Sequence, residues 1–159
     1  MLSFWATLFS AGIGALLSSL LVKLLDHFVV ISSVLEKQRD ADLEIIRKYA
    51  LDVNSLAKDY WSVDDDDHST HLVGGTISAK AFFLGRIVER LFEADASLKA
   101  AVEIELNRLD SAITSGEFGV KGRSADIRKI SGIEICTYTF VDKSELCRRK
   151  LKKHFVLFR

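Results

Sequence analysis

The chain has 159 residues, zero formal net charge, 48% hydrophobic and 28% charged side chains, and no proline. That length holds one modest core plus one extended element rather than two domains, and the composition excludes an intrinsically disordered chain. The lack of proline favours long uninterrupted helices. The two cysteines, Cys136 and Cys147, fall in no metal-ligand spacing and read as a reduced, structural pair.

Met1 to Val22 contains no charged side chain. At about 1.5 Å per residue a helix of that length matches a hydrocarbon core of about 30 Å, so it can span a membrane. A cleavable signal peptide would place basic residues before a shorter apolar stretch, whereas here the first base, Lys23, follows it. A retained anchor is therefore preferred to a signal peptide or a buried soluble helix. Lys23, Lys37 and Arg39 lie on its C-terminal side, which puts that side in the cytoplasm and the N-terminus outside; the expected location is a bacterial inner membrane. Ser3, Thr7, Ser10, Gly14 and Ser18 recur on one helical face, widened by Ala11 and Ala15, with Trp5, Phe9, Ile13, Leu16 and Leu20 opposite. Small residues allow close helix approach, so this seam is read as a self-association face, with a single lipid-facing anchor or a pore lining as the other readings.

From Lys23 a second, amphipathic pattern begins. Phe28, Ile31 and Leu35 keep a three-four spacing, and Ile46, Tyr49, Val53, Leu56 and Tyr60 resume it in shifted phase, as in a coiled-coil or bundle helix over 23–62. Asp64 to Asp67 with His68 and His71 form a dense cluster of metal-capable groups, but without the spacing of a calcium loop, and read as a solvated acidic loop; no metal or cofactor is expected. Gly74 and Gly75 are read as a turn. Ile77, Leu84, Val88 and Leu91, then Leu98, Val102, Leu106, Leu109 and Ile113, form two helical stripes, with Asp95 as N-cap of the second. They predict a helical hairpin ending near Gly116.

Beyond Gly122 the pattern changes. Ile133 to Val141 is rich in β-branched and aromatic residues and reads as a strand, Asp142 to Lys153 as a short helix, and Phe155 to Phe158 as a second strand. The expected fold is thus α+β and mainly helical: a transmembrane helix over 1–22, a long amphipathic helix over 23–62, and a cytosolic domain over 63–159 combining the helical hairpin with a small strand-helix-strand unit.

Acids outnumber bases from Glu36 to Glu117, and bases outnumber acids from Lys121 to Arg159. Within the basic part Arg123, Arg128, Lys129, Lys143, Arg148, Arg149, Lys150, Lys152 and Lys153 stand out. Of these, Arg123, Arg128, Lys129, Arg148, Arg149, Lys152 and Lys153 are the candidate ligand-binding residues. Arginine forks onto phosphate and lysine supplies a mobile charge, so nucleotides, oligonucleotides and anionic lipid headgroups all fit, as does a plain solvated face. Nucleotides rank ahead of lipid because the tail lies more than a hundred residues from the anchor. No phosphate-cradling glycine loop, nucleophile elbow or paired zinc motif is present, which favours a non-enzyme.

The uncharged Met1 to Val22 segment with its small-residue face, the long following helix, and a compact domain carrying Arg148, Arg149, Lys152 and Lys153 together resemble the small membrane effectors of bacterial anti-phage systems, in particular the Hailong type. The resemblance implies an oligomeric membrane channel or disrupting effector, held inactive by a nucleotide-derived DNA oligomer and released when that ligand is lost during infection. The competing expectation is a membrane-tethered adaptor or scaffold that recruits a protein partner. A metal-dependent enzyme using Asp64 to Asp67, His68 and His71 ranks third.

Overall fold

The computed structural model describes the backbone of residues 2–65 and 68–151, and the side chains of 18–65 and 71–151. Four helices follow in chain order: α1 (Leu2–Ser62), α2 (His68–Leu91), α3 (Ala96–Thr114) and α4 (Ile127–Lys150). By internal contacts the chain divides into one unit of Met1–Gln38 with Lys153–Arg159 and another of Arg39–Lys152.

In the first unit, the described part of α1 carries apolar side chains that the fold does not cover. Leu20, Leu21, Val22, Leu24, Leu25, Val29, Val30, Val34 and Leu35 are all exposed. By length and composition this helix is apolar enough to cross a membrane. The uncovered stretch runs past Lys23, Asp26 and His27 to Leu35, well beyond the Val22 limit drawn from the absence of charge. Ser18 is exposed; the side chains of Ser3, Thr7, Ser10 and Gly14 lie outside the described residues.

The second unit is an antiparallel helical bundle whose direction can be read from its ion pairs. Asp42 meets Arg90 and Asp52 meets Lys80, so α2 runs antiparallel to α1. Asp40 meets Arg148, Arg47 meets Glu145 and Lys58 meets Glu134, so α4 does the same on another side. Helix α3 packs against α4 and against α2. The order is therefore up-down-up-down, with short connections except the longer one from Ser115 to Asp126 between α3 and α4.

The core follows the helical periods. On α1 the buried apolar residues are Ile46, Ala50, Val53, Ala57, Tyr60 and Trp61, a four-three repeat in which two alanines let neighbouring side chains close over the helix. Tyr49 and Leu56 pack on the edge of this core. Ile77, Leu84, Val88 and Leu91 of α2 and Val102, Leu109 and Ile113 of α3, all on the expected stripes, are buried, as are Ile87 and the α4 residues Ile133, Phe140, Val141 and Cys147. Asp95 caps α3, accepting from the backbone N–H groups of Ser97 and Leu98.

Two expectations are overturned. Among the described residues there is no strand, so the fold is all-α rather than α+β. Ile133–Val141 and the following Asp142–Lys150 are one continuous helix, capped by Asp126, which accepts from Arg128 N–H. Strand propensity loses here to burial period. Ile133, Thr137, Phe140, Val141, Ser144 and Cys147 all point inward at helical spacing, and the β-branched or hydroxyl side chains of Thr137, Thr139 and Ser144 donate back to the carbonyls of Ile133, Ile135 and Phe140. The second strand at Phe155–Phe158 falls outside the described residues. Gly74 and Gly75 are not a turn either: both lie inside α2.

Candidate functional site

Of the seven candidate ligand-binding bases, the five that are described are not brought together. Lys129 stands in the first turn of α4 and Arg149 in its last, about 30 Å apart at about 1.5 Å per residue. Arg123 and Lys129 belong to one end of the bundle, Arg148 and Arg149 to the other. Lys152 and Lys153 lie outside the described residues.

At the first end the connection between α3 and α4 wraps the C-terminus of α1. Arg123 is buried, with 2% of its surface accessible. Its Nη2 donates to the Tyr60 carbonyl at 2.6 Å and its Nη1 to the Val63 carbonyl at 3.0 Å. These are terminal carbonyls of α1, which no later turn of the helix satisfies, and the guanidinium charge also complements the negative end of the helix dipole. The guanidinium stacks on the Tyr60 ring at 4.0 Å and faces the Trp61 ring at 5.0 Å. Its Nε is buried without a hydrogen-bond partner, a cost that the two carbonyls and two rings offset.

Lys129 approaches the same tryptophan from another side, Nζ lying 3.8 Å from the ring centroid and donating to the Ser115 carbonyl at the end of α3. Desolvation by burial holds its amine below the ordinary lysine value, against the opposing pull of Asp126. Trp61 Nε1 donates to the Ile113 carbonyl at 3.0 Å, so this residue ties the ends of α1 and α3 together.

The acidic segment completes the clamp. Asp64 Oδ1 accepts from Ala125 N–H at 2.7 Å and Asp65 Oδ2 from Gly122 N–H at 2.9 Å, while Tyr60 Oη accepts from Gly119 N–H at 2.8 Å. Gly119 and Gly122 have φ near +76° and +75°, a backbone that a side chain would strain; this directs the Gly119 N–H at Tyr60 of α1 and the Gly122 N–H at Asp65 beyond it. The carboxylates of Asp64 and Asp65 thus hold a loop. Asp66, Asp67 and the His68 side chain lie outside the described residues, and His71 is exposed. Among the described residues no three His, Cys, Asp or Glu side chains converge on a cation site.

At the other end Arg148, largely covered, donates to Asp40 Oδ1 at 2.7 Å. Arg90 forks onto Asp42, with Nε 3.1 Å from one carboxylate oxygen and Nη2 on the other. That hydrogen bond, then the charge of Asp42, raises the Arg90 pKa above its ordinary value. Asp42 is itself buried, with 5% of its surface accessible. Its place four residues before Ile46, in line with the buried stripe of α1, was the available sequence signal for a carboxylate needing a partner. Arg149 and Lys150 are exposed, as is Arg128 near the start of α4.

The cysteines cannot bridge: eleven helical residues separate Cys136 from Cys147 on α4, about 16 Å. Burial pushes the Cys147 thiol above its ordinary pKa, outweighing the opposing charges of Lys143 and Lys150. Because the thiolate is the nucleophile, Cys147 is expected to react with iodoacetamide at pH 8 at least ten times more slowly than half-buried Cys136. Mass mapping of labelled peptides over time checks this; equal rates would mean that α4 does not bury Cys147.

No protein family, curated protein or solved structure matches this chain.

Proposed function

We propose that the protein is a membrane-anchored, self-assembling effector that perturbs the bilayer, seated in a bacterial inner membrane with its bundle in the cytoplasm and controlled by an anionic ligand. The observation that carries this reading is the continuity of α1. One helix holds the uncovered apolar stretch ending at Leu35 and, from Asp42 to Trp61, supplies the inner face of the bundle. A change in how the bundle grips α1 therefore acts on the same helix that enters lipid, and a ligand that binds one state better than the other shifts the population between them. Anti-phage defence and control by a nucleotide or oligonucleotide are the forms of this reading that the organisational resemblance suggests. With Arg123 and Lys129 engaged inside the fold, the bases left for such a ligand are Arg128, Arg149, Lys150, Lys152 and Lys153.

Ion efflux from liposomes containing the purified full-length chain tests this. Dose-dependent efflux, at least tenfold above protein-free vesicles and weakened by Gly14→Leu in the proposed seam, is the expected result. Efflux at the protein-free rate with the protein inserted would leave the second reading, a tethered adaptor. That alternative is favoured by one observation: Phe82 on α2 is 74% exposed with Phe83, also exposed, next to it, apolar surface of the kind that recruits partners.

A further inference from the structure

We infer that the last turn of α4, through Arg149 and Lys150, binds anionic lipid headgroups of the membrane in which the protein is anchored. This inference rests on the anchoring reading above and assigns a partner to bases that reading leaves free for an anion.

Sequence distance hides the relation. Arg149 is more than a hundred residues from the apolar stretch, yet the ion pair between Arg148 and Asp40 fixes the last turn of α4 beside the part of α1 that follows that stretch. Leu35, the last of the uncovered apolar residues, is five residues from Asp40. Five residues span at most about 18 Å of chain however they are arranged. The bases of α4 are thus tethered near the surface where α1 enters lipid.

Three of the acids at this end are engaged, while Glu93 stays exposed. Asp40 is paired with Arg148, Asp42 with Arg90, and Glu145 with Arg47. Arg149 has 76% of its side chain exposed, with Glu145 no nearer than 3.8 Å, and Lys150 is exposed beside it. Among the described residues no aromatic ring packs on either cation. Exposed bases of this kind bind a free anion weakly, but tethering close to a charged surface gives them a high effective concentration of headgroups.

The test uses full-length protein in nanodiscs of phosphatidylcholine alone and of phosphatidylcholine with one quarter phosphatidylglycerol. Hydrogen exchange in the last turn of α4 is expected to be at least threefold slower in the anionic discs. The difference should vanish in 0.5 M salt, where screening acts within a few ångströms, and in the Arg149→Gln, Lys150→Gln double variant, which removes charge without adding repulsion. Equal exchange in the two discs, with the protein embedded in both, overturns the lipid contact and leaves the anchor standing. Failure to co-purify with either disc overturns both. Slowing of the same turn by an added oligonucleotide in neutral discs, without any effect of phosphatidylglycerol, assigns these bases to a soluble polyanion and overturns the inference.

Discussion

Replacing Arg123 by methionine is expected to lower the thermal midpoint of the full-length chain by about 10 °C while leaving its membrane association intact. The size follows from what the side chain holds. Its two amino groups satisfy the buried Tyr60 carbonyl and the part-buried Val63 carbonyl at the end of α1, and a buried acceptor left unpaired costs about 1–3 kcal/mol. Methionine refills the volume but restores neither bond nor the stacking on Tyr60. A loss of about 3 kcal/mol at about 3 °C per kcal/mol gives the stated shift. Lysine at this position should recover less than half of it, because a single ammonium cannot fork between two carbonyls. Circular dichroism melts in detergent measure the effect. An unchanged midpoint together with lost binding of anions would return Arg123 to the ligand-facing role that its charge suggests in the sequence.

That substitution also marks where sequence reasoning stops. The stripes of α2 and α3 and the Asp95 cap were legible because burial recurs at the helical period and a cap is a local hydrogen bond. Arg123 and Lys129 were not, since a run of bases looks the same whether it faces solvent or closes helix ends; only the placement of Tyr60, Trp61 and Ser115 separates the two. Ile133–Val141 was misread because side-chain type was weighted above spacing: Ile133, Thr137, Phe140 and Val141 already stood at helical intervals, and hydroxyls that bond back to their own turn are compatible with a helix. Gly74 and Gly75 carried a real penalty against helix, which tertiary packing of Ile77, Leu84 and Val88 overrides. The pairing of Asp40 with Arg148 could not be read at all, as nothing local links residues so far apart.

The largest change in solubility is expected from where the chain is cut. Removing residues 1–22 deletes the whole uncharged segment, but it leaves Leu24, Leu25, Val29, Val30 and Val34, all exposed, on a stub too short to span about 30 Å of hydrocarbon. That truncation should still pellet, with membranes or as aggregate. Removing residues 1–38 instead leaves Arg39 to Arg159, which keeps Asp40, Asp42 and every residue of the buried core, since the core begins at Ile46. This shorter chain should stay in the high-speed supernatant, remain helical and unfold in one cooperative step. The contrast is the informative result, because the two chains differ by only sixteen residues, of which most of the apolar ones are uncovered. If the 23–159 chain is fully soluble and monodisperse, the anchor ends near Val22 and the stretch to Leu35 is covered by contacts within the protein. If the 39–159 chain is helical but still sediments with vesicles, and does so only when they carry anionic lipid, the membrane is being held by the bases at the end of α4 rather than by α1 alone.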